Sequence, residues 1–140
     1  MTIYWGDGTS TATHPSGGAA QTSGTWSPTY SNFSPGSDGS LTTNAAQYIA
    51  VGDLVHFNIR FSIGWYTYDS DTIGFTLPYT NGGNRNVVVG WIDYNDRYLI
   101  GRIDSGSSYC LCSQHNNPSS YLTYRPYWNN TLQLSGTYQK

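Results

Sequence analysis

The chain of 140 residues has no glutamate at all, and its only lysine is the last residue, Lys140. Charged residues make up 10% of the sequence, and all eight acids are aspartates. Glu, Lys, Leu and Ala build helix surfaces, so their shortage excludes helical bundles, coiled coils and doubly wound α/β folds. The six basic residues are dispersed and the formal net charge is -2. A nucleic-acid binder needs a basic stripe to neutralise phosphates, and none is present. No apolar run approaches the roughly 18 residues of a membrane-crossing helix. The first residues lack the basic and apolar regions of a signal peptide. The expectation is therefore a protein made in the cytoplasm, without membrane or nucleic-acid partners.

Cysteine is nearly absent too. Cys110 and Cys112 stand one residue apart, and on a strand both point to the same face. Their Cα separation of about 6.5–7 Å lies near the limit for a disulfide. With His115 they form Cys-x-Cys-x2-His, three potential zinc ligands without a nearby fourth. The expectation is two buried, small, apolar side chains and no metal or other cofactor.

What the sequence does hold is turn-formers and sheet-formers. There are 16 Gly, 13 Tyr and 5 Trp, alongside many Thr, Ser, Asn and Asp. Thr, Tyr, Trp, Val and Ile suit pleated sheet, and Gly, Asn, Asp, Ser and Pro suit turns. The clearest single signal is in residues 55–63. Val55, Phe57, Ile59, Phe61 and Ile63 alternate with His56, Asn58, Arg60 and Ser62, which is a strand with one face in a core. His56 falls on the polar face and reads as a solvent or interface residue. Residues 41–51 read as the strand before it. Residues 26–30 read as a short edge strand carrying Pro28. Residues 87–92 form a continuous apolar run, which reads as a central strand. Further strands are expected over 97–103, 109–113 and 121–125, around Phe75 and Leu77, and finally through Leu132, Leu134 and Tyr138. About eight or nine short strands at this spacing predict an all-β antiparallel sandwich or jelly roll, assigned to residues 25–140.

Residues 1–24 are rich in Gly, Ser, Thr and Ala behind the aromatic patch Ile3, Tyr4 and Trp5. They cannot pack a core alone. They read either as an arm anchored by that patch on another molecule or as an edge strand folded back on its own domain.

Catalytic chemistry finds little support. Asp69/Asp71 and Asp93/Asp96 are the only acidic pairs. Both fall in expected hairpin turns, where Asp serves local backbone hydrogen bonds. No nucleophile elbow or phosphate loop is present. No catalytic residue is assigned. The aromatic clusters at Trp65, Tyr66 and Tyr68 and at Tyr127 and Trp128 are candidates for an interface or for stacking on sugars.

Four stretches carry a family resemblance. Residues 24–30 read Gly-Thr-Trp-Ser-Pro-Thr-Tyr, and residues 47–57 read Gln-Tyr-Ile-Ala-Val-Gly-Asp-Leu-Val-His-Phe. Residues 75–78 read Phe-Thr-Leu-Pro, and residues 128–138 read Trp-Asn-Asn-Thr-Leu-Gln-Leu-Ser-Gly-Thr-Tyr. In this order, over about residues 24–138, the chain resembles the small β-sandwich domains of tailed-phage minor tail, tail-fibre tip and other virion surface proteins. The resemblance implies a non-enzymatic, often oligomeric virion domain that binds proteins or host-surface glycans, with no catalytic residues. Domains of that family end longer chains. Without a collagen-like, coiled-coil or β-helical shaft, this one suits a small accessory protein. The expectation is a head decoration or cement protein on the virion surface, most simply a homotrimer seated on the major capsid protein or other virion proteins. The alternative is a tail-tip or fibre-tip adhesin for a host glycan.

Overall fold

The computed structural model describes residues 3–4, 10–11, 20–31, 40–63, 74–93, 97–114 and 130–140. In chain order the strands are β1 (Ile3–Tyr4), β2 (Ser10–Thr11), β3 (Gln21–Thr25), β4 (Tyr30–Ser31), β5 (Leu41–Val51), β6 (Leu54–Ile63), β7 (Gly74–Thr76), β8 (Asn86–Ile92), β9 (Arg97–Ile103), β10 (Tyr109–Gln114) and β11 (Asn130–Gln139). The all-β antiparallel class read from composition holds. β1 and β2 pair with each other, and the other nine strands form one sheet in the order β3-β5-β6-β11-β8-β9-β10-β7-β4. Hydrogen bonding therefore runs as one continuous ladder, curled so that its inner faces meet. Phe57 of β6 and Phe75 of β7, strands far apart in that order, bring their ring centroids within 6.0 Å. Tyr30 of β4 likewise lies 5.2 Å from Phe61 of β6.

The long hairpin β5–β6 is the spine. It turns at Gly52 and Asp53, with Val51 opposite Leu54. Gly52 takes φ 57, a left-handed conformation that suits glycine. The alternation in β6 becomes burial: Val55, Phe57, Ile59, Phe61 and Ile63 are all core residues. β11 runs antiparallel to β6 along its whole length and adds Leu132, Leu134 and Tyr138 to the same interior.

Large and small side chains divide the interior between them. Phe57 and Phe61 from β6 meet Phe75 from β7 across the curl, and Trp26 packs edge-on against Phe57. Elsewhere in the interior, Val88 lies between two glycines on its neighbouring strands. A Cβ added at Gly136 would strike Val88, and one at Gly101 would come within 2.6 Å of both Val88 Cγ2 and Cys110 Sγ. Cys110, paired with Phe75 across the β10–β7 ladder, and Cys112 are free, fully buried thiols, as expected of small apolar side chains. The Cys110 thiol is held well above its usual pKa, first by its hydrogen bond with Cys112 and then by burial.

One sequence expectation changes. Residues 26–29 are not a strand, and only Tyr30 of that stretch enters one, β4. β3 ends at Thr25, and residues 26–29 cross from one edge of the sheet to the other, where β4 begins. Trp26 spans that seam. Its backbone N–H donates to the Ala46 carbonyl at 3.2 Å, and its indole N–H donates to the Thr76 carbonyl at 2.8 Å. Thr29 then exchanges bonds with Thr76, through the Thr29 N–H to Thr76 Oγ1 and the Thr76 N–H to the Thr29 carbonyl. Pro28, with no N–H to give, fits a crossing better than a ladder. The sheet begins at Gln21, so residues 21–24, within the stretch read as an arm or a folded-back edge strand, lie in an edge strand.

The end of the sheet that carries the β5–β6 turn is held by polar groups. Asn81 is fully buried, and its side chain is satisfied at both ends. Its Nδ2 donates to the carbonyls of Asn84 and Asp104, and its Oδ1 accepts from the Gly83 N–H. The Tyr138 hydroxyl accepts from the Tyr79 N–H at 3.0 Å and donates to the Tyr79 carbonyl at 2.9 Å. Burial pushes the Tyr138 phenol up to about 12.

Candidate contact surface

The outside of the curled sheet has two characters. On β6 and β11 it is polar, with His56, Asn58, Arg60, Gln133, Ser135 and Thr137 set side by side by the ladder. His56 stands outward as read from the alternation. Its Nδ1 lies 3.1 Å from Thr137 Oγ1, and its Nε2 lies 3.3 Å from Ser135 Oγ. The ring is thus positioned by two hydroxyls.

On β8 and β9 the outside is apolar. β8 hydrogen-bonds to β11 on one side and β9 on the other, so it is central in the sheet as its apolar run suggested. Its outer face, however, is open. Val87 and Val89 are 63% and 57% exposed, and Trp91 lies beyond them. The ladder sets Arg102, Ile100 and Tyr98 of β9 directly opposite these three. The Trp91 and Tyr98 rings meet edge to face at 5.4 Å. Charges gather at the two ends of this strip. Arg60 and Asp93 stand 3.9 Å apart at one end. Asp104 holds Arg85 at 2.6 Å and Arg102 at 3.3 Å at the other. A contiguous apolar strip rimmed by charge is the signature of a contact surface. Scattered single apolar residues on a surface mean nothing by themselves. Here four large side chains share two adjacent strands.

A second, smaller apolar group lies at the β5–β6 turn, where Ile49, Val51 and Leu54 are exposed. Between it and β3, a recess of about 410 Å³ is lined by Ser23, Gly24, Thr25, Gln47, Ile49 and Asn58. Among the described residues no group of three or more His, Cys, Asp or Glu could hold a metal ion.

The residues singled out from sequence fall largely elsewhere. Trp5, Trp65, Tyr66, Tyr68, Tyr127, Trp128 and His115 lie outside the described residues. So do Asp69, Asp71 and Asp96, and the strand expected over 121–125. The backbones of Ile3 and Tyr4 pair with Thr11 and Ser10 in the β1–β2 ladder. Val87, Val89, Trp91 and Tyr98 were not singled out. A continuous apolar run reads as burial on both faces, and here one face is apolar and exposed. The signal available in sequence was β9, whose alternation puts Tyr98 and Arg102 on one face and Leu99, Gly101 and Ile103 on the other. A strand with one outward face makes a two-sided burial of its neighbour unexpected.

The chain matches no protein-family model, no curated protein and no solved structure.

Proposed function

We propose that this protein is a non-enzymatic structural component of a tailed-phage virion surface, a decoration or cement protein that clips onto the head. The observation that carries the reading is the exposed strip of Val87, Val89, Trp91 and Tyr98, on a sheet that is polar outside along β6 and β11 beyond the β5–β6 turn. The family resemblance over residues 24–138 supplies the setting. In that setting the strip is covered by capsid subunits or by a neighbouring copy in a trimer.

The mechanism is burial. Each apolar side chain taken out of water on assembly stabilises the assembled shell by about 1.5–3 kcal/mol when fully covered. Binding only to the assembled state then shifts the equilibrium against disassembly by mass action. A surface with few charges meets little desolvation cost when covered. Virions that lack the protein should release their DNA at lower temperature than complete virions. Equal heat stability of the two particles contradicts the reading.

The edge-to-face pair Trp91–Tyr98 favours one second reading, a tail-tip adhesin, because exposed aromatic rings also stack on sugars. Copy number separates the two. Decoration requires hundreds of copies per particle, and a tail tip holds a few to tens.

A further inference from the structure

We infer that the free edge of β3 pairs with the same edge of a second copy of the chain, joining two curled sheets through their outermost strands. The register of β3 against β5 dictates which backbone groups are free. The Gly52 N–H donates to the Ala20 carbonyl at 3.1 Å, and the Trp26 N–H donates to the Ala46 carbonyl at 3.2 Å. Between these points the ladder runs without a bulge, from Gln21 opposite Val51 to Thr25 opposite Gln47. In an antiparallel ladder the residues that exchange bonds with one neighbour alternate with those that face away. Thr22 and Gly24 therefore share the orientation of Ala20 and Trp26, toward β5. Gln21, Ser23 and Thr25 turn their N–H and C=O groups outward.

Among the described residues nothing pairs with or covers that edge. Sheet edges are normally blunted by charge, proline, a bulge or a covering segment. Gln21–Thr25 has no charge, no proline and no bulge, and four of its five residues are exposed. The opposite edge, β4, is only two residues long and half-buried.

The free groups are also self-complementary, and this selects a second copy as the occupant. Gln21, Ser23 and Thr25 are symmetric about Ser23. An antiparallel approach about a twofold axis sets Ser23 opposite Ser23 of the partner subunit and Gln21 opposite Thr25 of the partner subunit. Every outward residue then meets an outward residue, and the contact closes with about six inter-chain backbone hydrogen bonds. With no charge on either strand, the approach meets no like-charge repulsion. The contact leaves the β8–β9 face of each copy open, so it stands or falls independently of the virion reading.

Analytical ultracentrifugation of the full chain, from low micromolar to near-millimolar concentration, tests this. The expected result is a monomer–dimer equilibrium, with the backbone amides of Gln21, Ser23 and Thr25 exchanging with deuterium more slowly as the dimer forms. Ser23→Pro removes an outward N–H and leaves the β3–β5 ladder its bonds. It should raise the dimer Kd about tenfold or more at unchanged monomer Tm. Ser23→Lys keeps the N–H but opposes two like charges, and should do the same. Thr22→Pro removes a ladder bond to β5 and should instead lower the Tm. A chain that stays monomeric throughout overturns the inference. So does association that survives both Ser23 variants and is abolished by Val89→Asp, which would assign pairing to the β8–β9 face.

Discussion

Strands β6 and β8 line the same interior and present opposite exteriors. Inward, β6 gives Val55, Phe57, Ile59, Phe61 and Ile63, and β8 gives Val88 and Ile92, all to one core cluster. Outward, β6 gives Leu54 at its turn and then His56, Asn58, Arg60 and Ser62, whereas β8 gives Val87, Val89 and Trp91. The interior explains why the chain folds, and it asks for the same chemistry from both strands. Folding alone does not explain an apolar exterior on β8. Keeping such side chains in water favours association, so their presence on one half of the sheet points to a surface that another molecule covers.

Breaking the shared interior should damage both halves together. Phe57 contacts Trp26, Phe75 and Tyr138, three rings on three other segments. Phe57→Ala should lower unfolding free energy by about 3–5 kcal/mol, read as a reduced urea midpoint at unchanged slope. A loss below about 1 kcal/mol would show that the curl does not depend on this aromatic junction.

A smaller effect should come from the polar staple between β11 and Tyr79. Tyr138→Phe leaves the Tyr79 N–H and C=O without their partner and should cost about 1–3 kcal/mol. The same hydroxyl gives a pH signature. Its folded pKa of about 12 exceeds the ordinary value of 10.0. Its contribution is therefore complete below pH 10 and is lost as pH rises through 10 to 12. Thermal unfolding of the wild type should weaken across that window more than that of Tyr138→Phe. Parallel curves would contradict the assignment.

The smallest effect on folding should come from the exteriors. Val89→Thr keeps a β-branched side chain on an open face, so the unfolding free energy should move by no more than about 0.5 kcal/mol. His56→Gln on the polar half should behave alike in folding. The two should differ in assembly, where only the β8 change weakens attachment to particles. Equal effects on attachment would erase the distinction between the halves.

Much of the fold was legible because its strongest signal is local. The period-two alternation of residues 55–63 states which face is inside, and the structure buries that face. The buried Cys110–Cys112 pair and the inward Leu132, Leu134 and Tyr138 were legible for the same reason. The crossing at residues 26–29 was not, because Trp26 and Tyr30 look like strand residues until the curl brings the two sheet edges together. That closure is a long-range event, made by the Trp26 indole and Thr76, fifty positions apart. The β8 exterior was hidden for a different reason. Hydrophobicity in sequence does not distinguish a side chain covered by its own chain from one covered by another. The more conspicuous Tyr and Trp clusters, at Trp65, Tyr66 and Tyr68 and at Tyr127 and Trp128, lie outside the described residues.

The most direct measurement is the occupancy of purified particles that lack the protein, after incubation with either wild type or the double variant Val87→Asp, Val89→Asp. Both proteins must first show the same Tm. The wild type should load at hundreds of copies per particle and restore heat stability, while the double variant should leave the particles bare. Equal loading of the two, or wild-type attachment confined to the tail, would contradict the assignment of the β8–β9 face as the surface that holds this protein to the head.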